Sequence, residues 1–266
     1  MNYTYRFSIL ITIVMMMIAC PFAFAEGDNV AMAPAVEATC SKDITIEGLK
    51  AKVTEMTKDF KDVTMTAVVT YKNKRALAKV EESFTRLYEF KTAKVTAKSP
   101  DKLKTEGRLG MLSFTYIVNN TTRIVRVPTI RVNKTDEYKN EPSKLQDLLD
   151  IGLLTQGAWR VRQLVIMPDP DAVTKGEMLI NAPYPNNTMQ NLFWIDTTNF
   201  CLKRFEKRDA NGKSTIKLEY SKPKYFGNAI WLPTVVEIFA PDGERAGAME
   251  LRDIQVNTGI TDSLFE

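Results

Sequence analysis

The sequence contains no histidine. Histidine is the commonest general acid–base residue and a frequent zinc ligand, so its absence excludes Ser-His-Asp triads and nearly all common zinc sites. A Walker loop, a dinucleotide-binding glycine fingerprint and a G-x-S-x-G elbow are also missing. We therefore predict that the protein is not an enzyme and uses no cofactor and no metal.

Long hydrophobic runs are equally scarce. Residues 7–18 form the one sustained apolar run, and it is shorter than the roughly 20 residues that a membrane-spanning helix needs. Arg6 precedes this run and small residues follow it, which is the layout of a signal peptide. We predict a signal peptide over 1–25, cleaved after Ala25 to release the chain into the periplasm. The alternative is a lipoprotein anchored through Cys20.

Cysteine and net charge are low as well. There are three cysteines, and Cys40 and Cys201 remain under either cleavage. An even pair in an oxidising compartment indicates a disulfide between them, although two separate buried thiols are the alternative. The 36 basic and 32 acidic residues give a formal net charge of +4, a mild and mixed balance that does not indicate a nucleic-acid partner.

The remaining chain has the patterning of one β-rich domain over residues 41–266, preceded by a flexible lead-in over 26–40. A helical stripe begins at Ile46, and from Asp62 apolar residues alternate with polar ones as in a strand. Asn211-Gly212 and Asp242-Gly243 are strong hairpin signals. Further strands are predicted at 83–97, 109–119, 123–133, 159–167, 176–182, 190–196, 200–208, 214–221, 229–240 and 246–256.

This number of strands predicts a strongly curved antiparallel sheet that curls or partly closes into a barrel. A second amphipathic helix is predicted over 143–154, with Ser143 as its cap and leucines on a broad apolar face. Helices lying across a curved sheet can enclose an apolar ligand, with the leucine-rich helix as a lid. The same side chains would also fill an ordinary packed core. The candidate cavity residues are Phe90, Leu112, Phe114, Tyr116, Leu145, Leu148, Leu149, Leu153 and Trp194.

An ordered set of motifs resembles the LolA/LolB-like outer-membrane lipoprotein-sorting proteins. The most specific are "LFWIDTTNFCLKRFEKRDANGK" (192–213) and "VNTGITDSLFE" (256–266). "FKDVTMTAVVTY" after the first helix, "KVTAKSPDKLKTE" (94–106), "KLQDLLD" (144–150) and "YFGNAIWLPTVVEIF" (225–239) complete the set. Carriers of this family have an arginine directly before the proline where this chain has Ser99, and they are shorter. The chain therefore resembles the broader sorting-like branch.

The resemblance implies an unclosed antiparallel barrel, covered by amphipathic helices, whose apolar cavity takes the acyl chains of a lipoprotein or another envelope lipid. Polar groups at the rim of the cavity would contact the headgroup, and Lys98, Ser99, Lys102 and Lys104 are the candidates. A solvated turn is the alternative for these lysines. An inner-membrane transporter or an outer-membrane acceptor would be the partner, with transient membrane contact. The competing hypothesis is an envelope sensor or assembly module that uses the same fold to bind a protein partner.

Overall fold

The structure, a computed structural model, describes residues 44–80, 88, 90–140, 145, 148–159, 162–185 and 188–266. The predicted signal peptide and lead-in, with Cys20 and Cys40, lie outside the described residues. The first predicted helix is confirmed as α1 (Ile46–Met56), where the Thr45 hydroxyl accepts a hydrogen bond from the Gly48 amide at 3.0 Å. Leu49 and Val53 form its buried stripe, which fixes the helix against the core.

Fifteen strands follow in the described part of the chain. They are β1 (Asp62–Lys72), β2 (Thr92–Lys98), β3 (Lys102–Leu109), β4 (Leu112–Asn119), β5 (Thr122–Val127), β6 (Val132–Glu137), β7 (Val165–Met167), β8 (Glu177–Asn181), β9 (Gln190–Asp196), β10 (Leu202–Arg208), β11 (Ser214–Ser221), β12 (Lys224–Phe226), β13 (Ile230–Leu232), β14 (Val235–Phe239) and β15 (Arg245–Val256). Two short helices also occur, α2 (Lys74–Val80) and α3 (Pro170–Thr174).

Thirteen of these strands form one antiparallel sheet in the order β6-β5-β4-β3-β2-β1-β15-β14-β11-β10-β9-β8-β7. The long pairing of β1 with β15 joins the two halves of the sheet. The end strands β6 and β7 do not pair with each other in the described ranges, so the sheet is not closed. β12 and β13 form a separate two-stranded ribbon. The predicted curved, unclosed antiparallel sheet is confirmed.

The sheet has an inner face that carries the main core and an outer face with smaller clusters. Because side chains alternate along a strand, the pairing register assigns each residue to a face. On β4, for example, Phe114 and Tyr116 share the inner face with Val95 and Ala97 of β2, whereas Ile117 lies on the outer face.

The helix predicted over 143–154 differs from the structure. Ser143 lies outside the described residues, and a 3-10 helix covers Leu148–Ile151. It ends at Gly152, whose φ is +76° and whose Cα approaches so closely that a Cβ would meet the Pro233 ring at 2.4 Å. This close approach to Pro233 ends the helix at its C-terminal side, while residues 141–144, 146 and 147 lie outside the described residues. A second 3-10 helix, Gln156–Trp159, follows it.

Several other strand bounds also differ: the runs predicted over 123–133 and 229–240 each divide into two strands, and β3 was not predicted. The strand expected over 83–97 begins at Thr92 in the structure, and that expected over 159–167 is confined to Val165–Met167. No helix was predicted at α2, which begins where the Asn73 side chain accepts hydrogen bonds from the amides of Arg75 and Ala76. Within the described ranges, no helix reaches the length and apolarity needed to span a bilayer.

Candidate functional site

The inner face of the sheet carries two apolar clusters. The larger one runs from β4 to β8 across the sheet and includes Met65, Val95, Leu218 and Phe193. The smaller one lies under the β5–β6 edge and includes Phe114, Val125 and Val127, with Leu112 packed against it. Tyr116 is half-buried and packs against both clusters. The inner face is therefore two packed regions that meet near Tyr116.

Two aromatic side chains cross this face and rest on glycines. The Phe90 ring lies over Gly107 of β3, where an added Cβ would come within 3.1 Å of it, and its centroid is 5.8 Å from that of Phe114. Tyr88 lies over Gly247 of β15 in the same way. Burial raises the pKa of Tyr88. The two glycines provide flat surfaces on which these rings can lie.

The segment that follows β6 covers the larger cluster. Leu148, Leu149 and Leu153 are at most 5% exposed, and Leu145 is half-buried against the same cluster. The Tyr220 hydroxyl of β11 donates a buried hydrogen bond of 2.7 Å to the Leu149 carbonyl. The segment is thus fixed to the inner face through its backbone as well as its leucines.

Trp194 lies on the opposite face from the other candidate cavity residues. Its indole Nε1 donates to Asp169 at 2.9 Å, and the Arg204 guanidinium carbon lies 4.5 Å from the ring centroid. Burial raises the pKa of Asp169, but the hydrogen bonds from Trp194 and from two α3 amides outweigh it and hold that pKa below its ordinary value. On β9 the inner-face aromatic residue is the neighbouring Phe193.

The candidate rim lysines also lie on the outer face. Lys98 and Lys102 contact the Asp262 carboxylate at 2.7 and 3.1 Å, and Lys98 donates to the Ile260 carbonyl at 2.8 Å. The Lys98 and Lys102 ammonium groups lower the pKa of Asp262. Together these contacts attach the C-terminal segment 257–266 to the outside of the sheet.

The other two rim candidates have local roles. Lys104 forms an ion pair with Glu106 at 3.0 Å on the outer face. Ser99 lies in the turn between β2 and β3, where its amide donates to the Lys61 carbonyl at 2.9 Å. The three lysines among the predicted rim residues therefore lie on the face opposite the inner-face clusters.

The C-terminal segment is held by groups that the sequence did not single out. Asp62, only 2% exposed, accepts hydrogen bonds from the amides of Thr258, Gly259 and Ile260 at 2.7 to 3.2 Å. The fully buried Phe265 packs against Ile117 and Ile124. Asp62 opens a strand and Phe265 follows a polar run, so no local pattern indicates that the two ends of the domain meet.

Cys201 is buried, and burial raises the pKa of its thiol to about 12. A thiol in that state is a poor nucleophile because little thiolate forms near neutral pH. Cys40 lies outside the described residues, and the disulfide between the two stays a prediction.

The β3–β4 hairpin presents an exposed apolar residue at its tip. Met111 is 92% exposed and follows Gly110, whose φ of +61° closes the turn. A groove of about 660 Å³ beside the hairpin is lined by Lys91, Lys94 and Arg108, among other residues. The tip therefore combines a projecting apolar side chain with nearby positive charge.

The curved sheet that does not close and the covering segments define a LolA-like fold. Neither a protein-family model nor a curated protein matches the sequence. Solved structures with similar folds include a domain from Vibrio parahaemolyticus assigned to the outer membrane lipoprotein-sorting proteins, with a TM-score of 0.54 and 9% identity, covering 82% of this chain and 97% of that one. A LolA-superfamily protein from Nitrosomonas europaea is similar, with a TM-score of 0.53 and 10% identity, covering 84% and 98%. At these identities the likeness establishes the fold.

Proposed function

We propose that the protein is a periplasmic carrier that holds the acyl chains of a lipoprotein or another envelope lipid against the inner face of its sheet. The observation that carries this proposal is the division of the inner face into two apolar clusters that meet at Tyr116. We expect a core that only stabilises the fold to be packed continuously, whereas a junction between two packed regions can open to admit an acyl chain. The covering segments are short, so parting them disrupts little secondary structure.

The energetics of such a site are favourable. Burying a methylene group contributes about 0.8 kcal/mol, so a partly enclosed acyl chain offsets the cost of association that any ligand must overcome. The leucines at 148, 149 and 153 cover the larger cluster and would shield the chain from water. Loading and release would then require this segment to move or a partner with a competing apolar site.

The hairpin tip supports transient contact with a membrane. Met111 projects into solvent, and the basic residues beside it would be attracted to anionic headgroups, at about 1 kcal/mol for each Lys or Arg near the surface. Near the tip, the inner-face residues of the two connected strands, including Phe114, belong to the smaller cluster. A carrier that touches the bilayer here would bring this end of its site close to the lipid.

The alternative, a module that binds a protein partner, has one supporting observation. The outer edge of β6 forms no strand pairing in the described part of the chain, and an unpaired edge can accept a strand from another protein. The charged residues Lys134, Asp136 and Glu137 along β6 oppose indiscriminate pairing. Such a partner could equally be the donor or acceptor of a carrier.

Two lysine substitutions on one strand test the proposed site. Phe114→Lys places a charge on the inner face, and Thr115→Lys places the same charge one residue away on the outer face. We expect Phe114→Lys to weaken binding of a fluorescent acyl probe at least tenfold and Thr115→Lys to leave it unchanged. Circular dichroism would verify that both variants are folded. Equal binding by the two variants would contradict the proposal.

A further inference from the structure

One polar residue of the inner face stands out. Asn191 of β9 is only 3% exposed, and its Nδ2 atom has no hydrogen-bond partner in the part of the chain that the structure describes. A buried donor without an acceptor is costly, and natural proteins rarely retain one without a reason. Tyr88 Oη and Trp159 Nε1, also among the inner-face residues, lack partners in the described ranges, and both can donate.

The register fixes the neighbours of Asn191. It pairs with Lys207 of β10, and its carbonyl accepts a hydrogen bond from the Ala182 amide at 2.8 Å. Phe193, two residues further along β9, shares the inner face with it. The Asn191 side chain is therefore flanked by a lysine on one adjacent strand and by an aromatic ring along its own.

Arg162 brings a second positive charge to the same place. One guanidinium nitrogen donates to the Ala182 carbonyl at 3.3 Å and another to the Tyr184 hydroxyl at 2.7 Å. The guanidinium carbon lies 4.2 Å from the Tyr184 ring centroid and 5.5 Å from that of Phe193. Because Ala182 and Phe193 are both neighbours of Asn191, these contacts place the guanidinium in the same region of the inner face as the asparagine side chain.

We infer that Asn191, with Arg162 and Lys207 beside it, is the polar anchor of the site and binds a negatively charged oxygen at the head of the acyl ligand, a carboxylate or a phosphate. The inference rests on the proposed function, because the apolar chain would lie along the inner face from Phe193. An amide donor with two cations in the same region matches an oxyanion, since charge-assisted hydrogen bonds are stronger than neutral ones. The anchor lies on the inner face, unlike the lysines of β2 and β3.

The test compares two ligands with the same chain, dodecanoate and dodecanol, by calorimetry at pH 8 on the purified, delipidated protein. We expect dodecanoate to bind more tightly than dodecanol. Asn191→Leu should reduce the ratio of the dodecanoate affinity to the dodecanol affinity about tenfold, which is the size of one lost charge-assisted hydrogen bond. Asn191→Asp, which puts a carboxylate in the same space, should reduce it further. Inorganic phosphate alone is the third ligand, and binding as tight as that of dodecanoate would assign the site to free anions.

Thr96→Val is the matched control. The Thr96 hydroxyl is also buried without a partner in the described ranges, but it lies on the outer face of β2, so its removal should leave the ratio unchanged. An unchanged ratio in Asn191→Leu, or an equal fall in Thr96→Val, would overturn the anchor. If the anchor is overturned but dodecanol still binds the protein, the proposed function stands. If the wild-type protein binds neither dodecanoate nor dodecanol, the proposed function itself is overturned.

Discussion

The two faces of the same sheet make different kinds of contact. The inner face carries two apolar clusters and, at Asn191, a buried donor without a partner in the described chain. On the outer face, the C-terminal segment is held by Asp62, Lys98 and Lys102 and by the buried ring of Phe265. The outer contacts attach a terminal segment to the sheet, whereas the inner face carries the main core and a second apolar cluster that meets it at Tyr116. On the proposed function, the ligand binds on the inner face.

The largest effect should come from the outer face. Phe265→Ala removes a fully buried ring from between Ile117 and Ile124, which should lower the free energy of unfolding by about 3–5 kcal/mol. Urea denaturation measures this loss. The variant should still bind the acyl probe at urea concentrations below its unfolding transition, because the substitution does not touch the inner face. A loss under about 1 kcal/mol, or binding that disappears in the folded variant, would show that the two faces are not separate.

A smaller effect is expected where the covering segment meets the inner face. Tyr220→Phe removes the hydroxyl that donates to the Leu149 carbonyl, at a cost of about 1 kcal/mol because Gly152 still donates to that carbonyl. Since the hydroxyl fixes the covering segment, release of a bound acyl probe should become faster. Stopped-flow dissociation measures the change. An unchanged dissociation rate would show that this segment does not control ligand release.

The smallest effect concerns acid. The pKa of Asp262 is lowered below its ordinary value of 3.8 by Lys98 and Lys102, so its ion pairs stabilise the fold above that value and are lost as the pH falls through the depressed pKa. The protection factors of the amides of residues 257–266, which correct for the intrinsic pH dependence of exchange, should therefore fall below about pH 4. Asp262→Asn should show the faster exchange already at neutral pH. Equal exchange of variant and wild type at pH 7 would contradict this account.

The sequence predicted the sheet and its curvature because strand alternation and hairpin signals are local. Alternation defines two faces but does not say which is inside, and a shift of one residue exchanges them. For this reason the prediction placed Trp194 in the cavity, whereas the structure puts Phe193 on the inner face and Trp194 beside Asp169. Phe114 and Tyr116 lie on the inner face, and their role in a cavity stays a prediction.

The contacts of the lysines were missed for a different reason, and their predicted role at a headgroup stays a prediction. Lys98 and Lys102 were grouped as rim residues because they are close in sequence, but their partner, Asp262, is about 160 residues away along the chain and no pattern indicates that contact. The leucine-rich segment at 148–153 shows the same limit. Its periodicity predicted a helix, and packing against Pro233 and Tyr220 ended it after one turn.

The central claim is that the inner face binds a lipid, and native mass spectrometry of protein purified from the envelope without detergent tests it most directly. The account predicts a discrete adduct that is lost on denaturation, with a mass that identifies the lipid. The denatured mass also reports the N-terminus, expected at Glu26 for a released chain and at an acylated Cys20 for an anchored one. Protein without an adduct, which also fails to take up acyl lipid added from vesicles, would contradict the account.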